Sequence, residues 1–273
     1  MRTDIPVFTA EVTARTVITP RMLRLTVSGA RTADGARFVS CGRPDEFFGL
    51  WLTTPEGEEV KRYYSVRAWR PETDELDIDF VVHAHGPATR WARDARIGDE
   101  VAFDLPRGHY TEPAGTERVL LIGDATALPA IGRILDERTA AAPRVHAILS
   151  VDDAQDRQDL RFRADDTVQW VTADAIVPAT VTATEDRPDS TYLWFSGEAT
   201  TMREIRRHVR HTLQWPTARY MTMGYWRRDA EHWERRFDQE TQLPEQLAAI
   251  WENGEDDEIQ RDLADELLSR YGL

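Results

Sequence analysis

The segment RYYSVRAWRPETDELDIDFVVHAHGPAT, from Arg62 to Thr89, determines how the rest of the chain can be organised. It begins as a strand with the tetrapeptide Arg-Tyr-Tyr-Ser, and a second strand with alternating apolar residues follows at 76–82. Gly86 and Pro87 then form a turn that starts a short helix, since proline is tolerated in a first helical turn. The segment therefore predicts two strands and a helix N-terminus in close succession.

These groups match the needs of a flavin dinucleotide. The guanidinium of Arg62 can hold a pyrophosphate, the ring of Tyr64 can lie on an isoalloxazine, and the hydroxyl of Ser65 can reach a flavin nitrogen. The helix that starts at Gly86 offers free N–H groups and a positive dipole end to an anion. An edge strand followed by a plain turn is the alternative, but the order of the features predicts a flavoprotein.

Six strands near the N-terminus predict an antiparallel barrel of the Greek-key type. We expect them at 7–18, 22–27, 47–53, 60–66, 76–82 and 100–105, with a loop at 29–45 and a helix at 87–93. Apolar residues recur at every second position from Leu76 to Val82, which is typical of a half-buried antiparallel strand. The barrel is expected to occupy residues 1–113.

After residue 116 the pattern changes to continuously apolar strands separated by helices. Strands are predicted at 118–122, 145–151, 167–171, 192–195 and 220–224, and helices at 131–138 and 200–212. This alternation indicates an α/β domain at 117–230, with a parallel sheet covered on both faces. A C-terminal helical extension at 231–273 follows, with two acidic amphipathic helices expected around Asn253 and Gly254.

Composition excludes several classes of function. The net charge of −14 argues against a nucleic-acid partner, because phosphate binding needs a basic face. No window approaches ~20 continuous apolar residues, and the N-terminus lacks an apolar signal region, so we expect no stable membrane association and a cytoplasmic location. The single cysteine, Cys41, excludes an intrachain disulfide and a thiolate-held iron–sulfur cluster. The histidine spacing predicts no metal site, and we expect a monomer.

The first buried strand of the α/β domain leads into the motif Gly123-Asp124-Ala-Thr126 and then into a helix. Open α/β sheets bind nucleotides at this strand–turn–helix position, beyond the carboxyl ends of the strands. Gly197 and Glu198 repeat the arrangement after a later strand. The sequence therefore predicts a second nucleotide site, separate from the flavin site.

Charged residues near this second site are open to two interpretations. Asp152 and Asp153 end the second strand of the sheet, where a carboxylate could accept a hydrogen bond from an adenosine ribose and disfavour the 2′-phosphate of NADPH. This favours NADH weakly over NADPH. Arg203 and Arg206 lie on the helix behind Glu198, and we expect each of them on a solvated helix face.

The last strand ends in Gly224-Tyr225-Trp226-Arg227-Arg228. Two aromatic rings and two arginines at a strand end could close a substrate pocket or shield a flavin. A packed seam between domains explains the same residues equally well. Both interpretations remain open at this point.

With these motifs in view, the chain resembles the siderophore-interacting proteins, a family of flavin-dependent ferric-siderophore reductases, from about Val12 to Trp226. The segments that carry the resemblance are Arg62-x-Tyr64-Ser65-x-Arg67, Asp79–His83 with Gly86-Pro87-Ala88, Gly123-Asp124 with Thr126–Ala130, Ser196–Ala199 and Gly224–Arg227. Two departures stand out. Ala125 lies where the family usually has glutamate, and Ala84 and His85 separate His83 from Gly86.

The resemblance implies a ferredoxin-reductase arrangement, with FAD as cofactor, NADH or NADPH as electron donor and a ferric siderophore as substrate. It assigns FAD binding to Arg62, Tyr64, Ser65, Arg67, His83, Gly86, Pro87, Ala88 and Thr89, and nucleotide binding to Gly123, Asp124, Thr126, Gly197 and Glu198. The basic and aromatic substrate site is expected at Tyr225, Trp226, Arg227, Arg228 and Arg235. No catalytic side chain is expected, because the flavin carries the chemistry.

Two other functions fit the same residues. One is an FAD-containing NAD(P)H reductase with a protein, a quinone or a metabolite as acceptor. The other is a non-catalytic protein that binds a ferric chelate and has lost its nucleotide site.

Overall fold

The first part of the chain forms a closed six-stranded barrel. The computed structural model describes residues 6–53, 57, 59–83, 86–185, 188–252, 254 and 256–273, so Ala84, His85 and Asn253 lie outside the described residues. The strands are β1 (Phe8–Thr19), β2 (Met22–Thr32), β3 (Phe47–Thr53), β4 (Glu59–Arg70), β5 (Glu75–Val81) and β6 (Glu100–Phe103). They close in the order β1-β2-β5-β4-β3-β6 with antiparallel pairing, which confirms the predicted barrel.

β2 is longer than the sequence predicts, because a glycine forms a bulge within the strand and does not end it. The register between β1 and β2 shifts between Thr9 and Glu11, where β2 has one extra residue. Gly29 lies in this bulge with a φ of 71°, a left-handed conformation that glycine adopts without strain. The loop predicted at 29–45 therefore begins only after Thr32.

A helix closes one side of the barrel, and aromatic residues fill much of its interior. The helix is α1 (Pro87–Asp94), and its Ala88 and Ala92 are part of the barrel core. Phe48 and Phe103 stack in that core at 4.3 Å, and Phe38 meets both rings edge to face. Aromatic pairs of this geometry add to the stability gained from burial alone.

The second part of the chain forms the predicted parallel sheet. Its strands are β7 (Arg118–Gly123), β8 (Arg144–Ser150), β9 (Thr167–Val171), β10 (Thr191–Glu198) and β11 (Tyr220–Trp226), in the order β11-β10-β7-β8-β9. All four pairs are parallel. The sheet has a central pair, β7 and β10, that is buried along nearly its whole length, as expected when both faces are covered.

Helices cover both faces of the sheet, and one of them was not predicted. One face packs against α2 (Leu128–Glu137), and the other packs against α3 (Ile176–Thr184) and α4 (Ala199–Arg207), which continues as a π-helical turn at His208–Thr212. α3 has the sequence IVPATVTAT, rich in β-branched residues that favour strands. The hydroxyls of Thr180 and Thr184 donate to carbonyls one turn earlier, which adapts these residues to the helix.

Three helices lie in the described part of the C-terminal segment, and the prediction of two is wrong. They are α5 (Ala230–Gln239), α6 (Leu243–Glu252) and α7 (Asp257–Arg270). α5 ends at Gln239, because the next residue, Glu240, has a ψ of 87° that lies outside the helical region. Pro244 lies in the first turn of α6, where its missing N–H costs nothing. The sequence concealed the break because no glycine marks the end of α5.

α7 docks on α4 through acidic side chains. Arg206 of α4 is only 4% exposed, so the prediction of a solvated position is wrong. Its guanidinium pairs with Glu258 at 3.1 Å, with Asp262 at 2.6 Å and with Asp265 at 3.2 Å. Arg210 also pairs with Asp262, at 2.6 Å. The arginines of α4 therefore neutralise part of the charge of the acidic segment.

A buried ion pair joins the barrel to the sheet. Arg133 of α2 donates to Glu46 at 2.7 Å and to the carbonyl of Val66 in β4 at 3.2 Å. Glu46 also accepts from Ser40 Oγ at 2.9 Å. Both charged groups are buried, so the two halves of the chain share one satisfied polar network. Within the described part of the chain, no helix is long and apolar enough to cross a bilayer.

Candidate functional site

β4 presents the three barrel residues that the sequence singled out. Arg62 is exposed, and its Nη1 donates to the carbonyl of Lys61 at 2.9 Å. The ring of Tyr64 packs against Phe80 with centroids 4.4 Å apart, and burial raises the pKa of its hydroxyl. Ser65 is buried and lies on the opposite side of the strand from Tyr64. The strand therefore offers an accessible cation beside a fixed aromatic ring.

The turn between β5 and α1 leaves an open helix N-terminus. Gly86 has a φ of 121°, and a Cβ there would lie 3.0 Å from Cε1 of His83, so only glycine fits. No side chain caps the helix, and Thr89 donates instead to the carbonyl of Val81 at 3.4 Å. The first-turn N–H groups remain available to an anion. Together with Arg62, this end of α1 fits the pyrophosphate of FAD.

Arg67, which the resemblance assigns to FAD, contacts α2 in the structure. Its Nη1 pairs with Asp136 of α2 at 2.8 Å. The guanidinium also lies over Gly132, where a Cβ would approach Arg67 Nε to 2.9 Å. Arg67 therefore bridges the barrel and α2 from its place on β4.

Asp124 connects three of the segments predicted to bind nucleotide and substrate. Its carboxylate accepts from the N–H of Thr126 at 2.9 Å, from Thr126 Oγ1 at 2.6 Å, from the N–H of Glu198 at 2.9 Å and from Trp226 Nε1 at 2.7 Å. Burial raises the pKa of Asp124, and the hydrogen bonds oppose that rise. The turn after β7 and the ends of β10 and β11 therefore form one site around a single carboxylate.

Gly197 and Glu198 have mainly structural contacts at this site. A Cβ at Gly197 would lie 2.6 Å from Asp124 Oδ2, so a larger residue would displace the carboxylate. Glu198 caps α4 by accepting from the N–H groups of Thr200 at 2.7 Å and Thr201 at 3.0 Å. It also accepts from the N–H of Arg228 at 3.3 Å. These contacts fix the position of the sheet edge where a nucleotide would lie.

Tyr225 connects the sheet to the barrel. Burial raises the pKa of its hydroxyl to about 12, and the nearby hydroxyls of Ser196 and Ser65 offset part of that rise. Ser196 Oγ lies near Tyr225 and is buried. It makes no hydrogen bond of good geometry, so its interaction with the Tyr225 hydroxyl is weak. The phenol therefore stays protonated at neutral pH, between a hydroxyl of the sheet and a hydroxyl of the barrel.

The other residues predicted for the substrate have separate contacts in the structure. Trp226 is partly exposed and bonded to Asp124. The Arg227 guanidinium stacks on Trp233 of α5 with 4.4 Å to the ring centroid. Arg228 and Arg235 are exposed, on different segments. The structure thus brings Tyr225 and Trp226 to the flavin and nucleotide motifs, but it does not gather the arginines around them.

Sequence reasoning missed an exposed cluster on the outer face of the barrel, which we name the Tyr63 patch. It consists of Phe47, Trp51, Lys61, Tyr63, Asp104 and Arg107. Lys61 Nζ lies 5.1 Å from the ring centroid of Trp51 and 5.3 Å from that of Tyr63. The Arg107 guanidinium lies 5.7 Å from the Tyr63 ring, which is part of a side chain that is 58% exposed. Cation–π contacts of this kind hold the patch together.

One buried carboxylate fixes both cations of the patch. Asp104 pairs with Lys61 at 2.5 Å and with Arg107 at 3.1 Å, and it accepts from the N–H of Gly49 at 2.7 Å. A Cβ at Gly49 would lie 2.0 Å from Lys61 Cε, so glycine makes room for the lysine. Strand alternation was the available signal, because Lys61 and Tyr63 share the face of β4 that carries Ser65.

Two further observations bear on ligands. Within the described ranges of the chain, no group of three or more His, Cys, Asp or Glu side chains could hold a metal ion. A cavity of about 490 Å³ lies between α3 and the sheet, and none of the predicted site residues lines it. The predicted site residues therefore lie outside this cavity.

The chain is similar to proteins that act on ferric chelates. Two family sequence models match it, the siderophore-interacting FAD-binding domain at 44–110 and the siderophore-interacting protein model at 116–229. It is 31% identical over 195 residues to the ferric vibriobactin reductase of Vibrio cholerae serotype O1, covering 66% of this chain and 71% of that protein. It is 28% identical over 155 residues to the NADPH-dependent ferric-chelate reductase of Escherichia coli, covering 56% and 61%.

A solved structure has the same fold. The siderophore-interacting protein SipS from Aeromonas hydrophila superposes with a TM-score of 0.71 at 27% identity, covering 85% of this chain and 96% of that one. The two family models together match residues in both halves of the chain. The chain belongs to the siderophore-interacting protein family.

Proposed function

We propose that this chain reduces ferric siderophores with electrons from NADH or NADPH, through bound FAD. The observation that carries the proposal is that the turn after β7 and the ends of β10 and β11 meet at Asp124. This carboxylate joins the strand–turn–helix motif to Trp226, while the neighbouring Tyr225 reaches Ser65 of the flavin motif. A nucleotide at the sheet edge and a flavin on the barrel would therefore be adjacent. The names of the reductase relatives support the same activity.

The residues of the barrel fit FAD in a specific way. Arg62 and the uncapped end of α1 would hold the pyrophosphate, and Tyr64 and Ser65 would orient the ring system. FAD, when bound, supplies the conversion of a hydride into single electrons that ferric iron can accept. The neutral Tyr225 phenol would help to exclude water from the seam. We propose residues 1–113 as the FAD half and residues 117–230 as the nucleotide half.

The Tyr63 patch is the place that we propose for the acceptor. Lys61 and Arg107 bring two positive charges and Asp104 brings one negative charge, so the patch has a net charge of +1 in a chain of −14. Tyr63 lies two residues before Ser65 on the same face of β4, so the patch adjoins the flavin motif. Aromatic rings with a positive charge fit an anionic ferric chelate that carries aromatic groups. The proposal is an alternative to the substrate site predicted at Arg227, Arg228 and Arg235, which stays a prediction.

An anaerobic assay tests the activity. The purified protein, loaded with FAD, would be mixed with NADH or NADPH and a ferric siderophore in the presence of a ferrous-iron trap. We expect flavin bleaching followed by formation of the coloured ferrous complex. Bleaching without ferrous iron would favour another acceptor, and a protein that cannot be loaded with FAD would exclude the reductase function.

The proposed activity also sets the cellular context. Reduced nicotinamide nucleotides are supplied in the cytoplasm, so we propose a cytoplasmic protein. We propose that it acts as a monomer. Sedimentation of the FAD-loaded protein would test this, and a dimer would contradict it.

A further inference from the structure

A narrow crevice separates the barrel from the carboxyl edge of the sheet. Its volume is about 30 Å³, enough for only about one or two water molecules. A larger group would therefore have to lie at its mouth. The residues that line it are Thr19, Arg21, Met22 and Val81 of the barrel and Ala125, Leu128, Val151, Asp152 and Asp156 of the α/β half.

The crevice lies where a dinucleotide phosphate would be bound. Ala125 belongs to the turn between β7 and α2, and Val151 and Asp152 follow β8 directly. In open α/β sheets the pyrophosphate lies at the first such turn, against a helix N-terminus. Ala127, the residue before α2, makes no side-chain cap, so the first-turn N–H groups of α2 are not engaged by a capping side chain.

Arg21 is the one cation among the residues that line the crevice. It lies in the turn between β1 and β2, and its backbone N–H donates to Asp156 Oδ1 at 2.9 Å. Its side chain is 49% exposed, and Nη1 lies 3.4 Å from Oδ2 of Asp152, whose side chain is 88% exposed. Its Nε also lies 3.7 Å from Oδ2 of Asp156, whose side chain is only 7% exposed, so Asp156 keeps the base of the guanidinium in place while Nη1 faces the crevice mouth. Exposed ion pairs of this kind contribute little, so the guanidinium can exchange Asp152 for a stronger anion.

A second group points to a missing hydrogen-bond partner. Thr19 is 8% exposed, and its Oγ1 is buried without a hydrogen bond, although Thr19 lines the crevice two residues before Arg21. A buried hydroxyl without a partner is unusual in a folded protein. A phosphate oxygen or a water bound by it would satisfy the Thr19 hydroxyl.

We propose that Arg21 binds the pyrophosphate of the nicotinamide nucleotide from across the crevice, and that Asp152 holds the guanidinium in place until the nucleotide displaces it. This role of Asp152 takes the place of the ribose contact that its position in the sequence suggested. The barrel thus contributes a ligand to the nucleotide as well as to the flavin. The inference rests on the proposed function only in taking a nicotinamide nucleotide as the donor. It concerns the pyrophosphate, which NADH and NADPH share, so Arg21 does not discriminate between them.

The test measures binding of ADP-ribose, which carries the pyrophosphate without a nicotinamide, by calorimetry on the FAD-loaded protein. Arg21→Ala should weaken binding roughly ten- to a hundredfold, since a hydrogen bond to a charged group is lost. Arg21→Lys should retain part of the affinity. Asp152→Asn should tighten binding several-fold, because a competing and repelling carboxylate is removed. Arg37→Ala, at an exposed arginine paired with Asp74, is the matched control and should change nothing.

The opposite signs expected for Arg21 and Asp152 separate this role from a structural one. If the pair only ties the two halves together, both variants weaken ADP-ribose binding and lower the unfolding midpoint, and the proposal fails. It also fails if Arg21→Ala leaves the affinity unchanged, or if the unsubstituted protein does not bind ADP-ribose. The binding test contains no iron and is independent of the acceptor. If the protein binds ADP-ribose but does not reduce ferric siderophores, only the proposed acceptor is rejected.

Discussion

The indole Nε1 of Trp226 donates a 2.7 Å hydrogen bond to Oδ2 of Asp124, across 102 residues of sequence. The same oxygen accepts from the N–H of Glu198. The end of β11 is therefore tied to the turn after β7 through a carboxylate whose pKa is raised by burial. Loss of either hydrogen-bond donor would leave the negative charge of the Asp124 carboxylate less well stabilised.

Trp226→Phe removes one donor and keeps an aromatic ring. We expect the free energy of unfolding to fall by about 1–2 kcal/mol near pH 8, because a buried carboxylate loses a hydrogen bond. The pKa of Asp124 is raised in the folded state, so its protonated form is favoured at low pH and lost as pH rises through that value. The deficit should therefore shrink as the pH is lowered from 8 and Asp124 becomes protonated. Urea unfolding at a series of pH values measures it, with the exposed Trp251→Phe as control. Equal deficits would show that the charge of Asp124 is not involved.

Arg206→Met tests the attachment of α7. The substitution leaves Glu258, Asp262 and Asp265 around a site without its central cation. Breaking a buried ion pair from one side costs about 3–5 kcal/mol. We expect a lower thermal midpoint and rapid proteolysis within the C-terminal helices, while the exposed Arg207→Met keeps both unchanged. A protected C-terminal segment in the Arg206 variant would contradict the role of the ion pairs.

Acid should release α7 before the rest of the fold. Burial raises the pKa of Asp262, but hydrogen bonds from Arg210 and the charge of Arg206 outweigh it, so the pKa lies below its usual range. A carboxylate whose pKa is lower in the folded than in the unfolded state stabilises the fold fully at pH values above its unfolded-state pKa. This stabilisation is lost as the pH falls through its folded-state pKa. We therefore expect α7 amides to lose protection from hydrogen exchange below about pH 4. Asp262→Asn should remove the pH dependence of this step; a step that persists in that variant would assign it to another group.

Arg62→Ala should weaken FAD binding. One charge-assisted contact to the pyrophosphate is lost, which corresponds to roughly a ten- to a hundredfold higher dissociation constant. The flavin remaining after gel filtration and titration of the apoprotein measure the effect. Arg96→Ala, at an exposed position in the loop before β6, should stay yellow. If the Arg62 variant retains its flavin equally well, Arg62 does not hold the pyrophosphate.

Arg107→Met tests the Tyr63 patch as the acceptor site. The variant loses a cation–π contact with Tyr63 and one positive charge. We expect KM for an anionic ferric chelate to rise about five- to tenfold, since such contacts contribute about 1 kcal/mol. The rate of flavin reduction by NADPH should not change, because the nucleotide is proposed to bind at the edge of the sheet near Asp124 and not at the Tyr63 patch. Arg37→Met serves again as control. An equal loss in both half-reactions would mean that Arg107 supports the fold and not the acceptor.

Local patterns in the sequence predicted most strands but not every boundary. β3 and β9 agree residue for residue with the predicted ranges. α3 was missed because its β-branched residues carry no helical signal of their own, and packing on the sheet decides its conformation. Bulges such as that at Gly29 depend on the register with a neighbouring strand, which one strand alone does not reveal.

Side-chain partners far apart in sequence were the harder part of the candidate site. Arg206 appeared solvated because its partners lie 52 to 59 residues away, on α7. The arginines after Trp226 were predicted to bind substrate because several of them occur together. The contact of Arg227 is with Trp233 of α5 and not with the flavin motif. Lys61 and Tyr63 were recognisable from strand alternation beside Ser65, but the neighbouring Arg107 came close only through pairing of its segment with Phe47 in β3.

The buried pair of Arg133 and Glu46 limits how this protein can be recombined with its relatives. Exchanging the barrel alone, for one without an acid at position 46, would enclose an arginine with no carboxylate from the barrel. Exchanging the sheet alone would enclose an acid without its cation, and either charge is costly to bury unpaired. Chimaeras should therefore succeed only when both members of the pair are transferred together, so the two halves behave as one unit of design.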